Sequence, residues 1–121
     1  MSNFELQEKA VKAATRFIER KGFELLEDGW TSPEGTRIDL IANDEDTLVF
    51  IDVTATEYGE GGFEGGKVSR SDFEIAAAAW LAGNTPDGEI QVRFDIIDML
   101  VVSTDRALLR HHINAFSCGV E

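Results

Sequence analysis

Cysteine is almost absent: Cys118 stands alone near the end of a 121-residue chain. One thiol makes neither a disulfide framework nor a cysteine-rich metal site, so a reducing cytoplasm is the expected setting. No basic or histidine neighbour marks Cys118 as a nucleophile. Basic residues are scarce too, 11 Lys and Arg against 23 Asp and Glu, for a formal net charge of −12. A field of that sign repels phosphate backbones, and nucleic-acid binding draws most of its affinity from cations on phosphates. General nucleic-acid binding is therefore disfavoured. A surface that keeps the chain dissolved, or that meets a basic protein partner, fits the charge. No apolar run approaches the roughly 20 residues of a membrane span. The opening MSNFELQEKAVKAA has neither the basic nor the apolar region of a secretory signal. With 43% apolar and 28% charged residues, one globular domain over 1–121 is expected. Oligomeric state, a homodimer included, is left open.

What is present reads as an α/β chain. Ser2 to Glu5 has the form of a capping box. Leu6, Ala10, Ala13, Ala14, Phe17 and Ile18 then recur at helical spacing, and Gly22 sits at a C-cap position. Phe23 to Leu26 predicts a short strand, and Glu27 to Gly35 a turn-rich stretch with Trp30 anchored on the core edge. Thr36–Ala42 and Thr47–Thr54 predict a hairpin. Glu57 to Gly66 has five glycines and three glutamates. Its spacing matches no phosphate-binding fingerprint, so a plain flexible loop is expected. Ser71 to Glu74 reads as a second capping box, opening a helix through IAAAAWLA to Gly83. Ile90–Val102 predicts a long strand, with a break near Asp98, and Asp105–Phe116 a closing helix. The expected order is α-β-β-β-α-β-α.

Two strand carboxylates stand out, Asp39 in RIDLIA and Asp52 in FIDVTA. With an even hairpin loop centred between Asp44 and Glu45, residues summing to 89 lie opposite each other. Arg37 then faces Asp52, and Asp39 faces Phe50. Asp39, Asp52 and Thr54 fall on one face, with Ile51 and Val53 on the other. Diagonal neighbours of this kind lie roughly 7–8 Å apart, close enough to converge on a Mg²⁺ or Mn²⁺ ion. Alternatively, Arg37 pairs with Asp52 and no metal is needed. His111 and His112 are adjacent and lack the i,i+4 spacing of a helical metal pair, so a structural role is expected.

At this hairpin a resemblance is visible. GTRIDLIANDEDTLVFIDVTAT resembles the core of the YraN-type predicted endonucleases of the restriction-endonuclease-like, PD-(D/E)XK superfamily, whose pattern runs roughly G-E-I-D-L-I-A and then L-V-F-V-E-V-K. RFIERKGFELL, AAAAWL, RFDII and HHINAF resemble further segments in the same order, so the resemblance spans nearly the whole chain. It implies a mixed sheet flanked by helices and a metal-dependent endonuclease, with metal ligands at Asp39 and Asp52 and nucleic acid as substrate. The catalytic positions carried over are Asp39, Asp52 and Thr54. The departures are specific. Asp52 replaces a glutamate, Thr54 a lysine, Arg37 a glutamate, and Val11 an acid on the first helix, with Glu8 about one turn earlier. A threonine hydroxyl carries no charge with which to stabilise a developing phosphorane. Three readings follow: a catalytically degenerate nuclease fold with a weak metal site, an active nuclease whose cation has moved to Lys67 or Arg70, and an acidic protein-interaction module.

Overall fold

In a computed structural model of the chain, residues 3–57, 68–84, 90–103 and 105–115 are described. The first helix, α1 (Asn3–Arg20), buries Leu6, Ala10, Ala14 and Ile18, one residue per turn on a single stripe. It ends at Gly22, whose φ of +96° lets Phe23 N–H return to the Ile18 carbonyl at 3.0 Å. That is the left-handed helix ending that glycine permits most easily.

Strands β1 (Glu24–Thr31), β2 (Arg37–Asp44), β3 (Thr47–Glu57), β4 (Gln91–Ser103) and β5 (Arg106–His112) form one sheet in the order β1-β2-β3-β4-β5. Neighbours are antiparallel except β3 and β4, which are parallel. The parallel pair is joined through α2 (Arg70–Gly83), the crossover such a pair requires.

Side chains of β3 alternate between two cores. Val49, Ile51 and Val53 pack with the buried stripe of α1. Leu48 and Phe50 pack with Phe73, Ala76, Ala77 and Trp80 of α2. One helix therefore covers each face of the sheet. A strand buried on both faces reads as an unbroken apolar run, as LVFI does.

The structure departs from the expected elements in several places. The closing element is the strand β5, so the order is α-β-β-β-α-β-β. The physical reason is β4: its thirteen residues would leave a long open edge, and β5 pairs with it from Ile96↔His112 to Ser103↔Arg106. β4 also runs unbroken through Asp98. Strand β1 continues past Leu26 to Thr31 along β2, and Trp30 packs against the α2-side core. The cap of α2 is Ser69, whose Oγ accepts from Asp72 N–H at 3.1 Å, two residues before the expected Ser71. The expected cap Ser2, the glycine-rich segment from residue 58 onward, Lys67 and Cys118 lie outside the described residues.

Candidate functional site

The β2–β3 turn contains Glu45 and Asp46 alone, with Asp44 facing Thr47. Opposing residues thus sum to 91 rather than the expected 89: Leu40 faces Ile51, and Ile41 faces Phe50. The expected Arg37–Asp52 and Asp39–Phe50 pairs do not form in this register. Two features hold the turn in this position. Glu45 adopts φ +56°, and Asp44 stays in the strand with Arg93 Nη1 donating to it at 3.1 Å from β4.

Pairing between β2 and β3 stops at Leu40↔Ile51, and Asp39 sits where the strands diverge. Its Oδ2 accepts the Val53 N–H at 2.8 Å, while Gln7 Nε2 of α1 donates to the Val53 carbonyl at 2.9 Å. Ile38 and Ile41 both join the α2-side core while Leu40 joins the other, so face alternation lapses across Asp39. The buried Asp39 carboxylate therefore works inside the fork of the sheet, on peptide groups that would otherwise lose their ladder partners.

Arg37 meets Asp39 rather than Asp52: its Nε lies 3.5 Å from Asp39 Oδ1. The guanidinium crosses Gly29 of β1, where a Cβ would come within 2.9 Å of Nη2. Gly29 also holds φ +68°. Gly29→Ala is expected to cost roughly 1–2 kcal/mol from the left-handed backbone and to push the flexible arginine tip away from Asp39. Urea denaturation measures the first effect. A loss below about 0.5 kcal/mol, the size of an ordinary surface change, would count against it.

At Asp39 the carboxylate is already engaged. Asp39 already has an N–H on one oxygen and a guanidinium by the other. Among the described residues, no three His, Cys, Asp or Glu side chains are grouped to hold a metal. Beside Arg37 a cleft of about 650 Å³ opens between α1 and β1–β2. Glu8 and Asp28 line it with Lys12 and Arg37, two charges of each sign. Val11 lies in the same lining, and Glu8 is exposed rather than turned toward a buried acid.

Thr54 and Asp52 alternate onto the α2 side of β3. Asp52 is buried, and its Oδ2 accepts the Val68 N–H at 3.1 Å, tying the strand to the chain entering α2. Thr54, also buried, donates its hydroxyl to Asp98 Oδ1 directly across the parallel pair. Asp98 Oδ2 in turn meets His112 Nε2 at 2.9 Å. Thr54, Asp98 and His112 thus form one chain of polar contacts through β3, β4 and β5. Arg70 Nε reaches Glu74 at 3.3 Å, one turn along α2.

Sequence reasoning missed Asp95, a heavily bonded acid on β4. It is fully buried, receives Arg93 on both oxygens at 2.9 Å, His111 at 2.8 Å and the Asn114 N–H at 2.8 Å. Lys21 Nζ lies 3.1 Å from His111 Nδ1. A lysine donating there leaves Nε2 as the nitrogen that carries the proton to Asp95. Burial pushes the Asp95 carboxyl up, but the His111 and Arg93 hydrogen bonds, with the Asn114 N–H, push it further down. The net result is a carboxyl held below its usual range. The available sequence signal was the i,i+2 pair Arg93–Asp95, which shares one strand face.

Comparison with known proteins supplies a family. Residues 10–99 match the family described as "Uncharacterised protein family UPF0102". A UPF0102 protein of Beutenbergia cavernae is 32% identical over 103 residues, covering 83% of this chain and 86% of its own. One of Pelotomaculum thermopropionicum is 34% identical over 111 residues, covering 87% and 89%. One of Geobacter sulfurreducens is 29% identical over 108 residues, covering 85% and 81%. The matched stretch runs from within α1 to within β4 and takes in Asp39, Asp52, Thr54 and Asp98, so this chain belongs to the UPF0102 family.

Proposed function

We propose that this protein is a restriction-endonuclease-like domain that has given up hydrolysis and keeps the old site as a buried polar cluster, with Arg37 set beside Asp39. One observation carries the reading. Thr54, where the resemblance places a lysine, is buried and spends its hydroxyl on Asp98. A group so engaged supplies no positive charge to a phosphorane and no base to a water. Arg37 supports the reading, since its guanidinium beside Asp39 stands in for the divalent cation that the superfamily chemistry requires. The five-stranded mixed sheet with a helix on each face is in keeping with the superfamily fold.

The expected result is no cleavage of plasmid DNA, single-stranded DNA or RNA with Mg²⁺ or Mn²⁺. Thr54→Lys alone should not gain activity, because Arg37 remains on Asp39. Arg37→Glu with Thr54→Lys removes that cation, re-creates the G-E-I-D and x-V-K residues, and leaves the number of basic residues unchanged; metal-dependent nicking should appear there. Robust cleavage by the unaltered protein, abolished by Asp39→Ala and by Lys67→Ala, would establish a working nuclease with a relocated lysine and overturn the reading.

A further inference from the structure

A second groove lies away from the Asp39–Asp52 cluster, between α1 and the β4–β5 hairpin, with a volume of about 360 Å³. Its floor is apolar: Leu6, Ala10 and Met99 are buried, and Val101 is half-buried. Its rim is basic. Lys9 and Arg16 come from α1, seven residues apart and so on one helix face, and Arg106 comes from the start of β5. All three are exposed. The one carboxylate in the lining, Asp105, accepts from Ser103 Oγ at 3.0 Å.

Three cations against one acid invert the balance of the whole chain, where acids outnumber cations 23 to 11. The cleft beside Arg37 has no such excess, with two charges of each sign. Cations left beside apolar surface in a strongly acidic molecule raise the local concentration of anions and attract an anionic group to that rim. The volume lies at the small end of the roughly 300–1,000 Å³ range of small-molecule sites.

From this pairing of rim and floor we infer that the groove binds a small amphiphilic carboxylate. The acid group sits among Lys9, Arg16 and Arg106, and a short hydrocarbon body lies over Met99. The site is independent of the nuclease-fold cluster and stands whether or not that cluster is active.

Octanoate is the probe, titrated into the full chain carrying ¹³C-methyl methionine. The Met99 methyl signal should shift and saturate in the micromolar to low-millimolar range. Arg16→Glu with Arg106→Glu, two exposed positions whose change leaves the core intact, should weaken binding at least tenfold. Raising the salt to about 0.5 M should weaken the unaltered protein in the same direction, because exposed charges are screened. No Met99 shift up to about 10 mM octanoate overturns the inference. An equal affinity in the charge-reversed variant, or an equal Met99 shift with octan-1-ol, does so as well, since either outcome removes the cationic rim from recognition.

Discussion

An Asp95→Ala variant is expected to lose about 3 kcal/mol of stability, near the low end of the roughly 3–5 kcal/mol seen when one partner of a buried ion pair is removed. Arg93, His111 and the Asn114 N–H all lose their acceptor at once. Asp44 still holds Arg93 Nη1 at 3.1 Å, which is why the low end is expected. Typical domains have about 5–15 kcal/mol in all, so the variant should unfold at clearly lower urea. A loss under about 1 kcal/mol would mean the cluster relaxes around the gap. The pH dependence has a definite sign. Because the folded carboxyl is held below its unfolded value of about 3.9, its contribution is complete above that value. It disappears as pH falls through the lower folded value. Asp95→Asn should therefore be less stable at neutral pH and show a flatter decline below about pH 4. Parallel acid titrations of the two proteins, followed by circular dichroism, make the comparison.

Phe50→Ala should cost more, about 4 kcal/mol within the 3–5 kcal/mol range for deleting a buried phenyl ring. Phe50 is fully buried, with Trp80 edge-on at 6.0 Å and Phe94 tilted at 6.1 Å. Neither wall collapses easily into the void. Trp80 Nε1 is tied to Glu27 of β1, and Phe94 is stacked on Phe73 at 5.1 Å. The cost of such a deletion rises with the cavity that remains. Chemical denaturation gives the magnitude, and a value below about 2 kcal/mol would show that α2 slides inward.

The elements with local periodicity were legible. α1 appeared through its apolar stripe and Gly22, α2 through its small-residue run, and the β2–β3 hairpin through its turn residues. What failed depended on partners distant in sequence. RALLRHH carries no strand signal of its own, and it becomes β5 because β4 needs an edge partner. The two-residue register shift follows from Asp44 being held by Arg93, 49 residues away. Ser71 looked the better cap because Glu74 follows it, yet that glutamate pairs with Arg70 on the outer surface. At the site, spacing drew attention to Asp39, Asp52 and Thr54, but it gave the wrong partner for Arg37. It also left Asp98 as a strand break, because an acid inside an apolar strand is explained only by Thr54 and His112 on the neighbouring strands.

The fork at Val53 has a consequence for motion. Its N–H goes to the Asp39 carboxylate and its carbonyl receives Gln7, so two side chains hold the backbone groups on both sides of the Val53 Cα at the point where β2 leaves β3. A side chain releases by rotating about a few bonds, whereas a sheet ladder parts only when neighbouring residues part with it. This point in the centre of the sheet can thus admit solvent through local rotamer exchange. The pairing of β3 with β4 need not be disturbed, since Val53 keeps its place opposite Ile97 in a register that runs unbroken from Thr47 to Glu57.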